Sequence, residues 1–362
     1  MSADSPYPEL KKTHTMAHTG RPWKDYKPPP SGPVWSVINS GNTYWMLVAA
    51  IDLGVFDAFD IGESVTDIEL AERLGASRDG LRHLLDCMVT LSFLDQIDLS
   101  YHLTETAERY LRSDGPASMV SLVRVSPGPI ENWMGLAETI RSGEVKAPID
   151  DDIAGFYQPL VTATFPTQYR VATRLGAIMG WNRYSSLHVL DLGAGAAPWS
   201  CALLEQVKDS TAVVNDFSQI VELAKATMAS KGFSHSCEFR SGDFHEIDVE
   251  EEAYDMVFLG HICRTEGESG TANLVRRAVA GLKPGGTIVV ADYFSDNDRR
   301  VNAFGVLMGL TMLANTRNGG AVTFEQMYGT LAANAIERIR VLEPIGANMV
   351  FVGSKKFERK AF

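Results

Sequence analysis

From Leu187 onward the chain alternates short apolar runs with helical stretches of about a dozen residues, and no other feature constrains the fold as strongly. The runs His188–Leu192, Ala212–Asn215, Cys237–Arg240, Met256–Leu259, Thr287–Ala291 and Met349–Val352 read as strands, with helices over Ile220–Ala229 and Thr271–Leu282. Strands joined through helices pair in parallel. The pattern therefore predicts an α/β fold with a doubly wound parallel sheet and ligands at the carboxyl ends of its strands.

Upstream the period is helical throughout. A broadly apolar helix is expected from Val34 to about Phe59, through Trp45, Val48, Leu53 and Val55; such a helix is buried or packs on a partner subunit. Thr66-Asp67-Ile68-Glu69 is a capping box whose helix stops at Gly75. Ser77 is placed to cap a second helix through Leu81, Leu85 and Met88, and Phe93–Ile97 with Tyr101–Leu103 forms a two-stranded wing. Thr104 opens a further helix. Helix, turn, helix and wing make a winged-helix module, either a DNA reader or a dimerisation scaffold.

Charge decides between those two. With 33 Lys+Arg against 45 Asp+Glu, the 362 residues carry a net −12, which argues against nucleic acid as the main partner because phosphate backbones need a basic face. At about 150 residues per domain the length suggests two domains. We place a flexible Pro-rich arm at 1–33, a helical and winged-helix domain at 34–185, and the sheet domain at 186–362. Four scattered cysteines, an N-terminus without an apolar signal core, and a longest apolar run (Trp45–Phe56) broken by Asp52 predict a cytoplasmic protein away from membranes. His261-Ile262-Cys263 lacks a second ligand pair, so no metal is expected. The tail Lys355–Lys360 reads as a solvated mixed-charge segment.

Chemistry collects at the strand ends. The first strand runs into Asp191-Leu192-Gly193-Ala194-Gly195, a turn whose glycines admit a ligand close to the backbone. Pro198 stands where a dinucleotide fingerprint needs glycine, and Asp191 would repel a pyrophosphate, so a zwitterionic ligand with an ammonium group suits the turn better. Asp216 follows about 20 residues later, the spacing of an acid that reaches ribose hydroxyls. Asp243, after the third strand, is placed to accept from an adenine amine, with Phe217 or Phe244 packing on the ring.

The runs Val189–Gly195, Asn215-Asp216-Phe217, Gly242-Asp243-Phe244 and Leu282–Gly286 resemble the successive motifs of S-adenosylmethionine-dependent methyltransferases. Ala49–Phe56 and Leu103-Thr104 resemble one branch, the small-molecule O-methyltransferases with an N-terminal winged-helix dimerisation domain. The resemblance spans about residues 36–353. It implies a Rossmann-like class I methyltransferase fold, a homodimer, and S-adenosyl-L-methionine as cofactor. By it, Asp191, Gly193 and Gly195 hold the methionine part, Asp216 the ribose, and Asp243 with Phe244 the adenine. Phe217, Gly242 and Gly260 stand beside them, and Arg170 contacts the cofactor carboxylate.

One loop departs from the family. Where the family carries a His-Asp-Trp motif whose histidine deprotonates the acceptor, this chain reads Gly260-His261-Ile262-Cys263-Arg264-Thr265-Glu266. Arg264 stands at the base position and cannot act as a base. His261, three residues earlier, is a substitute base or a core histidine. The family's flanking acids become Asp292 and Ala321. Methyl transfer is an in-line displacement, so alignment alone suffices for an acceptor that is already ionised or needs no deprotonation, with Arg264 holding an anionic group. Trp133, Met134, Phe165, Tyr169, Met308 and Met312 are expected to line a pocket for a flat aromatic or polycyclic metabolite. O-methylation follows from the resemblance; C- or N-methylation by positioning, another reaction on the same fold, and a ligand-sensing winged-helix regulator are the alternatives.

Overall fold

A computed structural model describes residues 31–126 and 128–357; the arm to Pro30 and the tail from Glu358 lie outside the described residues. The chain divides into two compact units, one ending at Ala49 and one beginning at Ala50. The described part of the first is most of α1 (Gly32–Asp52), which carries no charge before Asp52 and leaves Val34, Trp35, Val37, Ile38 and Trp45 exposed. The helix stops short of Phe59 because Gly54 turns to φ 77°, and a single helical turn, Phe56–Ala58, follows.

The second unit opens with β1 (Val65–Thr66), α2 (Asp67–Leu74), α3 (Arg78–Thr90), β2 (Leu94–Ile97), β3 (Ser100–Leu103) and α4 (Glu105–Tyr110). The capping box forms: Glu69 N donates to Thr66 Oγ1 at 3.3 Å and Thr66 N to Glu69 Oε2 at 2.9 Å. Ser77 precedes α3, but its hydroxyl makes no cap bond. The wing gains a third strand, in the order β1-β3-β2. On α3, Arg78 is drawn back onto Asp67 at 2.9 Å. Next come α5 (Val120–Val125), α6 (Ile130–Met134), α7 (Leu136–Ser142) and the long α8 (Gln158–Met179).

Then the sheet begins: β4 (His188–Leu192), α9 (Pro198–Gln206), β5 (Thr211–Asp216), α10 (Ser218–Ser230), β6 (Cys237–Ser241), β7 (Tyr254–Gly260), α11 (Cys263–Gly281), β8 (Leu282–Asp292), α12 (Ala303–Asn315), α13 (Phe324–Ala333), β9 (Ile336–Ile345) and β10 (Asn348–Lys355). Seven strands lie in the order β6-β5-β4-β7-β8-β10-β9. The expected parallel sheet is thus mixed, because β10 runs antiparallel to both β8 and β9. The hairpin turn at Gly346 (φ 65°) imposes this, since a short turn joins only antiparallel neighbours. Strand residues bury both faces: Val189 packs into a core with Trp181 and Trp199, while Leu190 and Leu192 pack into one with Leu274 and Phe351. Strand order reverses between β4 and β7, so a crevice opens where both carry their carboxyl ends.

Candidate functional site

On the β4–β5–β6 side the acids are spoken for by neighbouring backbone. Gly193 (φ 62°) turns the chain out of β4, and a Cβ there would stand 3.0 Å from the Ile262 side chain. Asp191 is fully buried and faces α9, accepting from Ser200 N (3.2 Å) and Ser200 Oγ (2.6 Å). This corrects its expected contact with the ligand: the carboxylate caps a helix. Burial raises its pKa to about 7. Asp216 accepts from Gly195 N at 2.7 Å and Phe217 N at 2.8 Å, and burial raises it to about 6. Asn215 donates to the Arg240 and Gly242 carbonyls at 3.0 Å, locking β5 to the Gly242 turn. Asp243 accepts from His245 N at 2.8 Å. Phe244, expected on the adenine, is only 7 % exposed and packs in the core with Leu190 and Val213; Phe217 is the more open ring.

The β7–β8–β10 side is different. Gly260 ends β7 against the Trp199 indole, where a Cβ would lie 2.3 Å from Nε1. His261 (φ 64°) donates its N–H to Ala291 O at 2.7 Å. Its ring is buried, 4.9 Å from the Tyr293 ring, and neither ring nitrogen has a partner at hydrogen-bonding distance, although Asn348 lies beside it. Burial, then the Arg264 charge, push its pKa down to about 4 against the pull of Asp292. The imidazole is therefore neutral and a poor base at physiological pH.

Arg264 Nη1 bonds Asp292 Oδ1 at 3.0 Å and the His261 carbonyl at 2.6 Å, while Arg264 N donates to Asp292 Oδ2 at 3.0 Å. Its guanidinium lies 5.4 Å from the Tyr293 ring centre. Burial opposes the charge, but Asp292 outweighs it and the arginine pKa sits above its ordinary value. Nε and Nη2 have no partner among the described residues. The Arg264 carbonyl accepts from Gly320 N at 2.9 Å, which pins the loop to the segment holding Ala321.

These groups face a cavity of about 1110 Å³, at the upper end for a single small ligand. Of the sequence-predicted residues, Arg170, Gly193, Gly195, Gly260, His261 and Arg264 line it, as do Trp133, Tyr169, Met308 and Met312. Asp292 stands behind Arg264; Asp216, Phe217, Gly242 and Asp243 lie along the sheet edge outside this lining. Two pocket expectations are corrected. Met134 is 82 % exposed, one step round α6 from Trp133. Phe165 stacks on Tyr169 at 5.6 Å and packs on the core instead. Tyr169 itself also bonds Glu205, so it forms part of the wall rather than a free contact.

Tyr157, Tyr293 and Asn348 also line the cavity and were not among the residues expected there from the sequence. Tyr293 had a signal, as the residue after Asp292 at a strand end. Among the described residues no cluster of three or more His, Cys, Asp or Glu is placed to hold a metal, and no helix is long and apolar enough to cross a membrane.

A sheet of this order with a glycine turn at its reversal point defines the class I methyltransferase fold. An O-methyltransferase dimerisation domain matches residues 35–113 and a methyltransferase domain residues 189–286. The chain thus carries the domain pair of an S-adenosylmethionine-dependent O-methyltransferase, a dimerisation domain followed by a methyltransferase domain. It is similar to the tetracenomycin polyketide synthesis 8-O-methyl transferase TcmO of Streptomyces glaucescens, 25 % identical over 85 % of this chain and 92 % of that one. The 3-hydroxy-5-methyl-1-naphthoate 3-O-methyltransferase of Streptomyces sahachiroi is also 25 % identical, over 85 % and 91 %. Among solved structures, human N-acetylserotonin methyltransferase with S-adenosylmethionine superposes with a TM-score of 0.78 at 22 % identity, covering 92 % of this chain and 99 % of that one.

The protein is a methyltransferase, and S-adenosylmethionine is its cofactor. The residues present fit that cofactor: a side-chain-free turn at Gly193 and Gly195, an acid at the end of β5, and at Arg170 a guanidinium without a partner among the described residues.

Proposed function

We propose that this chain methylates an oxygen of a flat hydroxylated aromatic or polycyclic secondary metabolite, and that the oxygen is ionised before attack. One observation carries this reading. At the family's base position stands Arg264, fixed by Asp292 and Tyr293, with two donor nitrogens left for a ligand. A guanidinium at that point stabilises an oxyanion and lowers the acceptor's own pKa, which replaces proton abstraction. The cofactor supplies a methyl group on a sulfonium. This chain's part is alignment and exclusion of water within an apolar wall. The relatives' names, an O-methyl transferase of polyketide synthesis and a naphthoate O-methyltransferase, support an aromatic oxygen.

In this reading Gly193, Gly195, Gly260 and Arg170 hold the methionine end, Asp216 the ribose, and Asp243 with Phe217 the adenine. The 34–185 region supplies acceptor wall and, through its winged-helix module, a homodimerisation scaffold; 186–362 binds the cofactor. The exposed apolar side of α1 supports the dimer, and Arg78 neutralised by Asp67 supports a scaffold over a DNA reader. The four free cysteines support a cytoplasmic location.

The test is methyl transfer from labelled S-adenosylmethionine to a panel of phenols, naphthols, indoles and amines across pH. The expected product is an O-methyl ether, with kcat/KM rising through the acceptor's own ionisation and showing no inflection that belongs to His261. Label confined to ring carbon or nitrogen overturns the oxygen assignment. An enzyme-borne inflection that vanishes in His261→Ala overturns the base-free mechanism.

A further inference from the structure

We propose that the Tyr293 hydroxyl is a second donor to the acceptor oxygen, so that a phenol and a guanidinium hold the oxyanion together. This rests on the reading of Arg264 as the oxyanion's partner.

Among the described residues three tyrosines line the cavity, and two of their hydroxyls are already given to a carboxylate: Tyr157 to Asp150 Oδ1 at 3.4 Å, and Tyr169 to Glu205. Tyr293 differs. It is half-buried, and its hydroxyl is neither sealed in the core nor hydrogen-bonded among the described residues. The ring is nonetheless held on several sides. The His261 ring stands 4.9 Å away, the Phe304 ring meets it edge-on at 4.9 Å, and the Arg264 guanidinium lies 5.4 Å from its centre. A ring packed this closely, with its polar tip unpaired in the wall of a cavity, is a preset donor.

One carboxylate aims both groups. Asp292 Oδ1 accepts from Tyr293 N at 2.8 Å and from Arg264 Nη1 at 3.0 Å, while Oδ2 accepts from Arg264 N at 3.0 Å. The end of β8 and the turn after β7 are thereby fixed to each other, with the guanidinium beside the phenol ring. The phenol oxygen sits at the rim of that ring, so its hydrogen and the uncommitted nitrogens of Arg264 serve one region of the cavity. Burial raises the Tyr293 pKa above its ordinary value against the pull of Arg264, so the hydroxyl keeps its proton and donates.

The pair selects the charge state of the acceptor. An ionised oxygen has lone pairs for both donors, and bonds to a charged oxygen are about twice as strong as neutral ones. A neutral amine has a single lone pair, which the reaction itself uses. Once the oxygen is methylated its charge is gone, and both bonds fall to neutral strength, which favours release of the ether.

The test reads the charge of a bound acceptor, without turnover. Whichever of the two naphthols binds more tightly is added to protein saturated with S-adenosylhomocysteine, and its absorbance across pH gives its ionisation constant in the site. In the unaltered protein that constant is expected to exceed the free naphthol's. Tyr293→Phe keeps the ring and its packing and removes only the hydroxyl. The constant is then expected to fall about tenfold, as for one hydrogen bond to a charged group, and about a hundredfold in Arg264→Gln. No increase over the free naphthol in the unaltered protein overturns the oxyanion reading of Arg264 and this proposal with it. An increase that Tyr293→Phe leaves whole overturns this proposal alone, since a ring with a merely structural role would leave it so. If Arg264→Gln does not fold, the unaltered protein and Tyr293→Phe decide between them.

Discussion

The ligand-facing edge of the sheet has two halves built on opposite rules. Along β4, β5 and β6, carboxylates and amides are largely held by their own backbone: Asp191 by Ser200, Asp216 by Gly195 and Phe217, Asp243 by His245, Asn215 by the Gly242 turn. Along β7, β8 and β10, the Tyr293 hydroxyl has no such partner, and Arg264 keeps two nitrogens uncommitted. A half that satisfies itself is rigid before any ligand arrives, which suits a cofactor that is always the same molecule. A half with open valences is completed by its ligand, which suits an acceptor that must be told from look-alikes.

The largest expected effect breaks the second half at its centre. Arg264→Gln removes the oxyanion partner and strands the Asp292 carboxylate, which is 2 % exposed at its side chain. Activity is expected to fall by about a hundredfold to a thousandfold, and stability by about 3–5 kcal/mol, as for a buried pair that loses one member. Arg264→Lys keeps the charge and is expected to recover stability better than activity, because an ammonium lacks the planar fork. Steady-state kinetics with thermal unfolding checks both. Full activity in Arg264→Gln would refute the oxyanion role.

The first half is probed through folding rather than catalysis. Asp191 is an acid whose pKa is raised from 3.8 to about 7 by burial. The folded chain thus holds its proton more tightly than the unfolded chain, so the stability it contributes is present below about pH 4 and lost as pH climbs to about 7. Asp191→Asn keeps an oxygen for Ser200 and removes the buried charge. Without cofactor, the variant is expected to gain on the unaltered protein between pH 5 and 7, by an amount of order a few kcal/mol, and to gain no more above that. Chemical denaturation at fixed pH values measures it; a difference that shrinks with pH would show that Asp191 is stabilised as an anion.

How much of this was legible in the sequence divides along the same line. The acids and glycines of the first half stand at fixed distances in one chain segment, each at the end of its own strand, so spacing alone placed them at one edge. Arg264 was legible too, because the strand before it sets its register. Asn348 was not. It reaches the site only because β10 inserts antiparallel beside β8, and that depends on β9, whose Glu337, Arg338, Arg340 and Glu343 hide an edge strand under exposed charge. Asp191 and Phe244 were placed at the correct edge with the wrong side-chain direction, since spacing along a chain does not say which way a residue turns at a strand end.

The smallest expected effect sharpens the boundary between the halves. Arg170 lies exposed on α8 at the cavity wall, with no hydrogen bond or ion pair among the described residues. Its guanidinium is therefore open to a ligand carboxylate from the first half's side. A partly exposed guanidinium bonding a carboxylate contributes about 1 kcal/mol, so Arg170→Gln is expected to weaken S-adenosylhomocysteine binding about threefold to tenfold, and less at high salt. Arg174 also lines the cavity, one helical turn further along α8 on the same face. A loss on Arg174→Gln with none on Arg170→Gln would move the carboxylate by that turn. An α-carboxamide analogue of S-adenosylhomocysteine separates the two, because only the arginine that touches the carboxylate becomes indifferent to substitution when the ligand's charge is gone.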